Sequence, residues 1–313
     1  MSDRVLITGA TGFVGACLSR ELISHGDEVH VMTRKTSNLW RIKDIFPDLN
    51  VHTGDILDIT SLESAVKSDK PDVIYHMATY GGYHFQKDRE NIIKTNLTGI
   101  LNLLKVCPKS LDMFVNTGSS SEYGIKNHPI KETDSLEPVS FYASSKAAAT
   151  LLCQTWSKEE DVPLVTFRPF SIYGYFEGST RLIPQTIFSC MAKKRPVVNT
   201  PKAVRDFIFV EDVTRAYRTA AKKLGKSRGE IINLGSGRQH NVLDVTNKII
   251  RISGSALKPL IKKEKRWDHE PSCWVADTSK AKKMLGWRTE NTIEEGLKKT
   301  VKWFKKNMDF YKE

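Results

Sequence analysis

The chain has 313 residues, enough for a large core in one big domain or two lobes. No apolar run approaches the roughly 18 residues of a membrane helix, and strand-forming residues begin at Arg4-Val5, so neither a membrane span nor a signal peptide is expected. The net charge of +12 would suit a nucleic acid or an anionic small molecule, but no nucleic-acid motif accompanies it. Five scattered cysteines (Cys17, Cys107, Cys153, Cys190, Cys273) form no C-x-x-C pair and read as reduced, cytoplasmic thiols, not a disulfide frame or a zinc site. Much of the excess lysine lies in the last third, where Ile293, Leu297, Val301 and Phe304 recur at helical spacing and the lysines take the other, solvated face.

Strand and helix patterns alternate from the start, which predicts an α/β fold with a doubly wound parallel sheet. The expected strands are Val5–Thr8, Glu28–Thr33, Asn50–Thr53, Val73–Met77, Met113–Thr117 and Pro163–Phe167. Long helices are expected over Lys87–Val106, ended by Pro108, and over Ser140–Lys158. After Arg168 the pattern loosens, as in a smaller lobe. The expected division is a Rossmann domain at 1–168 and 206–234, with a substrate lobe at 169–205 and 235–313.

Between the first strand and the first helix lies Gly9-Ala10-Thr11-Gly12-Phe13-Val14-Gly15. A strand, a glycine turn and a helix N-terminus build an anion site: helix-end N–H groups point outward, and glycine lets a pyrophosphate come close. The spacing is G-x-x-G-x-x-G. At the end of the second strand stand Arg34 and Lys35, with no carboxylate to accept from a ribose 2′-OH. A guanidinium there suits a 2′-phosphate, which favours NADP(H). With Arg34 as a plain surface residue, NAD(H) stays open.

Thr117-Gly118-Ser119-Ser120-Ser121-Glu122-Tyr123-Gly124 follows the fifth strand, at the edge where open α/β sheets bind ligands. Tyr142 and Lys146 lie one helical turn apart and share a face. A free tyrosine, with a pKa of about 10, is a poor acid–base group at neutral pH. A nearby ammonium is expected to bring it down, so that it can exchange a proton with a carbinol or carbonyl oxygen, to which Ser119 could also hydrogen-bond.

With these residues the chain resembles the extended short-chain dehydrogenases/reductases, the sugar-nucleotide epimerase/dehydratase/reductase group. The resemblance spans nearly the whole chain. It implies a cytoplasmic enzyme with Ser119, Tyr142 and Lys146 catalytic and no metal. It implies a cofactor held by Gly9, Thr11, Gly12, Phe13, Val14, Gly15, Arg34, Asp55 (on the adenine), Ile56, Met77, Ala78, Asn96, Thr117, Tyr142, Lys146, Pro169 and Ile172. The implied substrate is a nucleoside diphosphate sugar. Its expected contacts are Gly81, Tyr83, Ser120, Ser121, Ser171, Arg181 and Leu182, with Arg205 and Arg266 on the pyrophosphate. A homodimer through the two long helices is also implied.

Within that group, the 4,6-dehydratases carry an acid pair where this chain has Ser120 and Ser121. Serines are poor proton donors and acceptors for eliminating water. The serine run most resembles 4-keto-6-deoxyhexose reductases, with an NAD-dependent 4-epimerase as the alternative. Glu122 reads equally as a sugar-pocket residue or a buried structural acid. His76 reads as structural; His84, in the loop that borders the hexose, reads as a surface or hydrogen-bonding residue, or as an acid–base group of an epimerase.

Overall fold

Val5, Leu6 and Ile7 are all buried, as expected of a central strand covered on both faces. The computed structural model describes residues 2–262 and 271–311. In chain order the elements are β1 (Arg4–Thr8), α1 (Phe13–Ser24), β2 (Glu28–Thr33), β3 (Asn50–Thr53), α2 (Ile59–Asp69), β4 (Val73–His76), α3 (Arg89–Ile93), α4 (Gly99–Lys105), β5 (Met113–Thr117) and α5 (Phe141–Glu159). There follow β6 (Leu164–Pro169), β7 (Ser171–Tyr173), α6 (Leu182–Met191), β8 (Val197–Val198), β9 (Val204–Phe209), α7 (Val210–Lys223) and β10 (Arg228–Leu234). The chain continues with β11 (Gln239–Asn241), α8 (Val242–Ile252), β12 (Leu260–Ile261), α9 (Ser279–Leu285) and α10 (Ile293–Lys306).

Seven strands form one parallel sheet in the order β10-β6-β5-β4-β1-β2-β3. The order reverses between β1 and β4, where Thr8 pairs with His76, and a crevice opens at the strands' carboxyl ends. Strand alternation divides the core. Val5, Ile7, Val31, Tyr75 and Val115 pack under Leu18 and Leu22 of α1 and Val213 and Tyr217 of α7. Leu6, Met32, Ile74 and Phe114 pack under Leu62 of α2, Leu103 of α4 and Cys153 of α5. A third cluster joins Phe207 and Phe209 of β9 to Ile187 of α6, Ile249 of α8 and Leu297, Val301 and Phe304 of α10.

Three expectations differ from the fold. The helix over 87–106 starts at Arg89 and carries a π-helical turn, Lys94–Thr98, between α3 and α4. That turn rotates Asn96 inward, a tertiary contact that hydrophobic spacing does not report. The last parallel strand, β10, stands outside the six expected ones; it is an edge strand whose register shifts between Arg228 and Glu230, so its alternation is broken. The boundary placed at 205/206 falls inside β9, which pairs with β7 and β11 in a separate three-stranded sheet. The lysines of α10 do lie outward, with Leu297, Val301 and Phe304 buried.

Asp206 of β9 is fully buried and joins these parts. Its Oδ1 accepts from the Ser236 amide at 2.7 Å and the Ser236 hydroxyl at 2.6 Å; its Oδ2 accepts from the Gly237 and Ala276 amides at 3.1 and 3.0 Å. An amide in that place would turn N–H toward N–H. Asp206→Asn is therefore expected to lower stability by about 2–3 kcal/mol; an unchanged denaturant midpoint would show that these bonds do not hold β9.

Candidate active site

The turn after β1 is shaped by contact. Gly9 has φ +80°, and a Cβ there would stand 2.5 Å from the Ala78 amide nitrogen. A Cβ on Gly15 would stand 2.3 Å from the Gly9 carbonyl oxygen. These two glycines let α1 start directly against β1 and β4. Gly12 caps α1 and no side chain takes the first-turn amides, so Phe13, Val14 and Gly15 present N–H groups toward the crevice. The turn thus fits the pyrophosphate of a dinucleotide. Arg34 is exposed just past β2, where its amide donates to Ser37 Oγ at 3.0 Å. Asp55 is half-buried and fixes its own loop, accepting from the Leu57 amide. Ile56 is buried against Gly99, leaving no room there for a Cβ.

Beneath the crevice, His76 Nδ1 pairs with Thr8 Oγ1 at 2.8 Å. Burial, and then the Lys146 charge, push His76 down to about 3, so it is a neutral structural group. Met77 and Ala78 continue from it to the crevice edge. Asn96, expected on the cofactor, is spent on the protein: its Oδ1 accepts from Thr79 Oγ1 and the Tyr80 amide, and its Nδ2 donates to the Tyr80 carbonyl and Ser145 Oγ. Ser145 in turn donates to the Tyr142 carbonyl. Asn96 therefore braces the loop at 78–80 against the first turns of α5.

The catalytic candidates come together. Ser119 caps a 3-10 turn, Ser120–Tyr123, in a capping box closed by Glu122. Its hydroxyl shares a 2.7 Å hydrogen bond with Ser121 Oγ and also bonds Tyr142. Ser120 is buried and Ser121 half-buried. Thr117 accepts from the Tyr217 hydroxyl at 3.0 Å. Glu122 is the structural acid of the two readings. Completely buried, it accepts from the Ser119 amide through Oε1 and from Arg168 Nε through Oε2, each at 2.7 Å. Burial pushes its carboxyl up, against the pull of Arg168 and the Ser119 amide.

The expected lowering of Tyr142 is not seen: burial pushes its phenol up, opposed by hydrogen bonds with Ser119 and Thr79 and by the Arg181 charge. Lys146 is 3% exposed, and burial brings it down to about 8 although Glu122 supports its charge.

On the substrate side, Gly81 has φ +97° and passes tightly between Ile92 and Tyr142; Gly82 lies along the Tyr142 ring. Arg181 donates to the Gly82 carbonyl and stacks 4.7 Å over the Tyr83 ring. Leu182 opens α6, whose first turn has no side-chain cap. Pro169 ends β6, and the half-buried Ser171 and Ile172 lie on β7, beside β9. Arg205 donates to the Val204 carbonyl and lies 5.7 Å over Trp274. Arg266 falls outside the described residues. His84 is exposed, edge-on to Phe85.

Three further residues belong to this region. Gln86 holds the glycine loop, its Oε1 accepting from the Gly81 and Tyr83 amides at 3.1 Å each. Arg41 ties the Thr11 carbonyl of the glycine turn to the Phe176 carbonyl. Glu177 is buried with one carboxylate oxygen unpartnered, and burial pushes it up to about 8. No local pattern marks Arg41 or Glu177, because each acts across the fold; Gln86 could have been suspected from its place at the end of a glycine-rich loop.

Fold and crevice together define a Rossmann-like scaffold with a glycine turn suited to a dinucleotide. Residues 5–235 match the NAD dependent epimerase/dehydratase family, and the chain belongs to that family. A UDP-glucuronate 4-epimerase of Thermodesulfobacterium geofontis is 29% identical over 98% of both chains. A dTDP-glucose 4,6-dehydratase of Haemophilus influenzae is 26% identical over 96% of this chain and 97% of its own. Among solved structures, an epimerase from Methanothermobacter thermautotrophicus superposes with a TM-score of 0.89 at 26% identity, covering 98% of this chain and 94% of that one. A Bacillus cereus UDP-glucuronic acid 4-epimerase, in complex with UDP-glucuronic acid and NAD, superposes with a TM-score of 0.86 at 26% identity, covering 97% and 99%. Among the described residues no helix is long and apolar enough to cross a membrane.

The buried lysine carries a pH signature. Its folded value of about 8 lies below its ordinary 10.5, so between these values the unfolded chain binds more proton and stability rises with pH. Lys146→Met is expected to be more stable than the native chain below pH 8, by about 2 kcal/mol. That advantage should fade as pH climbs toward 10.5. Urea melts at pH 7 and 10 check this; a constant difference would mean that Lys146 is not held against its charge.

Proposed function

We propose that the protein oxidises and reduces C4 of a nucleoside diphosphate sugar, and that it is a 4-epimerase using NAD. The observation that supports this is Ser119 acting on Tyr142 at the carboxyl edge of the sheet, with Lys146 one helical turn further along α5. The relatives add weight: a UDP-glucuronate 4-epimerase matches over nearly its full length, and its Bacillus cereus counterpart binds UDP-glucuronic acid and NAD. Ser120 and Ser121 count against dehydration, since neither can serve as the acid–base pair.

The amides of Phe13, Val14 and Gly15 would hold the dinucleotide's pyrophosphate, with Asp55 and Ile56 toward its adenine. The nicotinamide, when bound, accepts a hydride from sugar C4 and returns it. Tyr142 takes the proton of the C4 hydroxyl as the ketone forms and gives it back as the alcohol re-forms. Ser119 donates to the same oxygen and orients it. Lys146 supplies positive charge beneath that exchange, at the lowest proton cost near neutral pH. Arg181 and Arg205 reach the sugar nucleotide from the segments at 169–205, and residues 235–313 complete its lobe. The seven-stranded sheet and its helices hold the cofactor.

A second reading rests on Arg34. With no acid at the end of β2, that guanidinium suits a 2′-phosphate and an NADPH-dependent 4-keto-6-deoxyhexose reductase. Nucleotide released by denaturing the dialysed protein separates the two. Retained NAD supports the epimerase; an empty protein that consumes NADPH with a 4-keto sugar nucleotide supports the reductase. In either case Tyr142→Phe is expected to cut turnover by at least about 10²-fold and leave nucleotide binding near normal. Unchanged turnover would remove Tyr142 from the chemistry.

A homodimer belongs to the same reading. Ile93 of α3 and Phe141 and Leu151 of α5 are 38, 48 and 53% exposed, an apolar strip on the helices expected to pair. Leu151→Glu is expected to give a monomer in light scattering where the native chain gives a dimer.

A further inference from the structure

The outer edge of the main sheet holds a cluster that the proposed reaction does not use. His30 of β2 and His52 of β3 lie on one face, since Met32 pairs with His52 and His30 with Asn50. Their rings are nearly parallel, with centroids 5.9 Å apart. Asp69, the last residue of α2, comes down between them. Asp69 Oδ2 stands 3.1 Å from His30 Nδ1 and 2.7 Å from His52 Nε2. All three atoms are buried, and none makes a hydrogen bond, so the contacts lie off the donor directions. The Asp69 side chain is 3% exposed and that of His30 9%.

The opposite side of His30 decides what this means. Its Nε2 lies 3.0 Å from Glu28 Oε1, and a carboxylate can only accept, so Nε2 carries the proton. On its other side, His30 Nδ1 faces the Asp69 carboxylate at 3.1 Å with no hydrogen bond between them. The carboxylate also ends a helix, the pole where negative charge is disfavoured. A histidine with one nitrogen on a carboxylate and the other on a shared focus is the arrangement that orients metal-bound imidazoles.

We propose that His30 Nδ1, His52 Nε2 and Asp69 Oδ2, which lie within 4.8 Å of one another, bind a zinc-class divalent cation that clips β3 and α2 to β2. Two imidazoles and a carboxylate suit zinc. The role is structural. Asp69 lies near the amino ends of the strands, as the Asp72 amide bonding the Arg4 carbonyl shows, and the glycine turn is at their other end. The expectation of no metal attended to the cysteines and to the catalytic centre; these ligands are scattered along the chain and meet only through β2–β3 pairing.

The test uses the full chain, stripped with a chelator and titrated with zinc chloride by calorimetry and thermal melting. One zinc per chain, with a rise in Tm, is expected. His52→Gln and Asp69→Asn should each weaken binding at least tenfold and abolish the Tm rise. Glu28→Gln, at an exposed position, should weaken binding about tenfold and serves if either other variant fails to fold. No one-to-one binding by the native chain, or unaltered affinity in the folded variants, would overturn the proposal.

Discussion

The buried pair of Glu122 and Arg168 is the constraint on which the catalytic centre depends. One carboxylate oxygen holds the Ser119 amide and the other holds the Arg168 guanidinium, with both side chains out of water. Arg168 also lies 4.6 Å over the Tyr123 ring. The exit loop of β5 is thereby fixed to β6. A buried ion pair contributes little net stability against a well-packed apolar alternative, but losing one partner strands the other at large cost. Its value here is geometric: it sets where Ser119 starts its turn and therefore where its hydroxyl meets Tyr142.

The same pair shapes the charges around it. Glu122 is the acid that supports Lys146, while burial works against that lysine's charge and against His76. The floor of the crevice thus combines a neutral histidine, an ammonium near its titration point and a carboxylate already paired. Asn96 and Gln86 perform the matching task above, fixing the loops that border Tyr142 through hydrogen bonds to the Tyr80, Gly81 and Tyr83 backbone.

Local pattern made the strands Glu28–Thr33 and Met113–Thr117 legible to the residue, because parallel strands buried on both faces leave apolar runs between turn signals. It was weaker where tertiary contacts overrode it, at the π turn around Asn96 and the irregular edge strand β10. The second sheet, built from β7, β9 and β11, was not legible, since β7 and β11 have three residues each and the partners are far apart in the chain. In the site, motif spacing brought forward Ser119, Tyr142 and Lys146, whose proximity one helical turn and one strand end can encode. It left Glu122 undecided between two roles and passed over Arg41 and Glu177.

By itself, then, the sequence determined an α/β sheet with a glycine turn for a dinucleotide and the residue types for proton transfer. These depend on periodicity and on neighbours within a turn or two. Only the tertiary structure decided that Glu122 is a buried ion-pair partner, that Asn96 is a brace, that burial lowers Lys146 to about 8, and that His30, His52 and Asp69 share a focus. Each of these depends on which distant groups surround a side chain and how much water they exclude, quantities that no local pattern of residues carries.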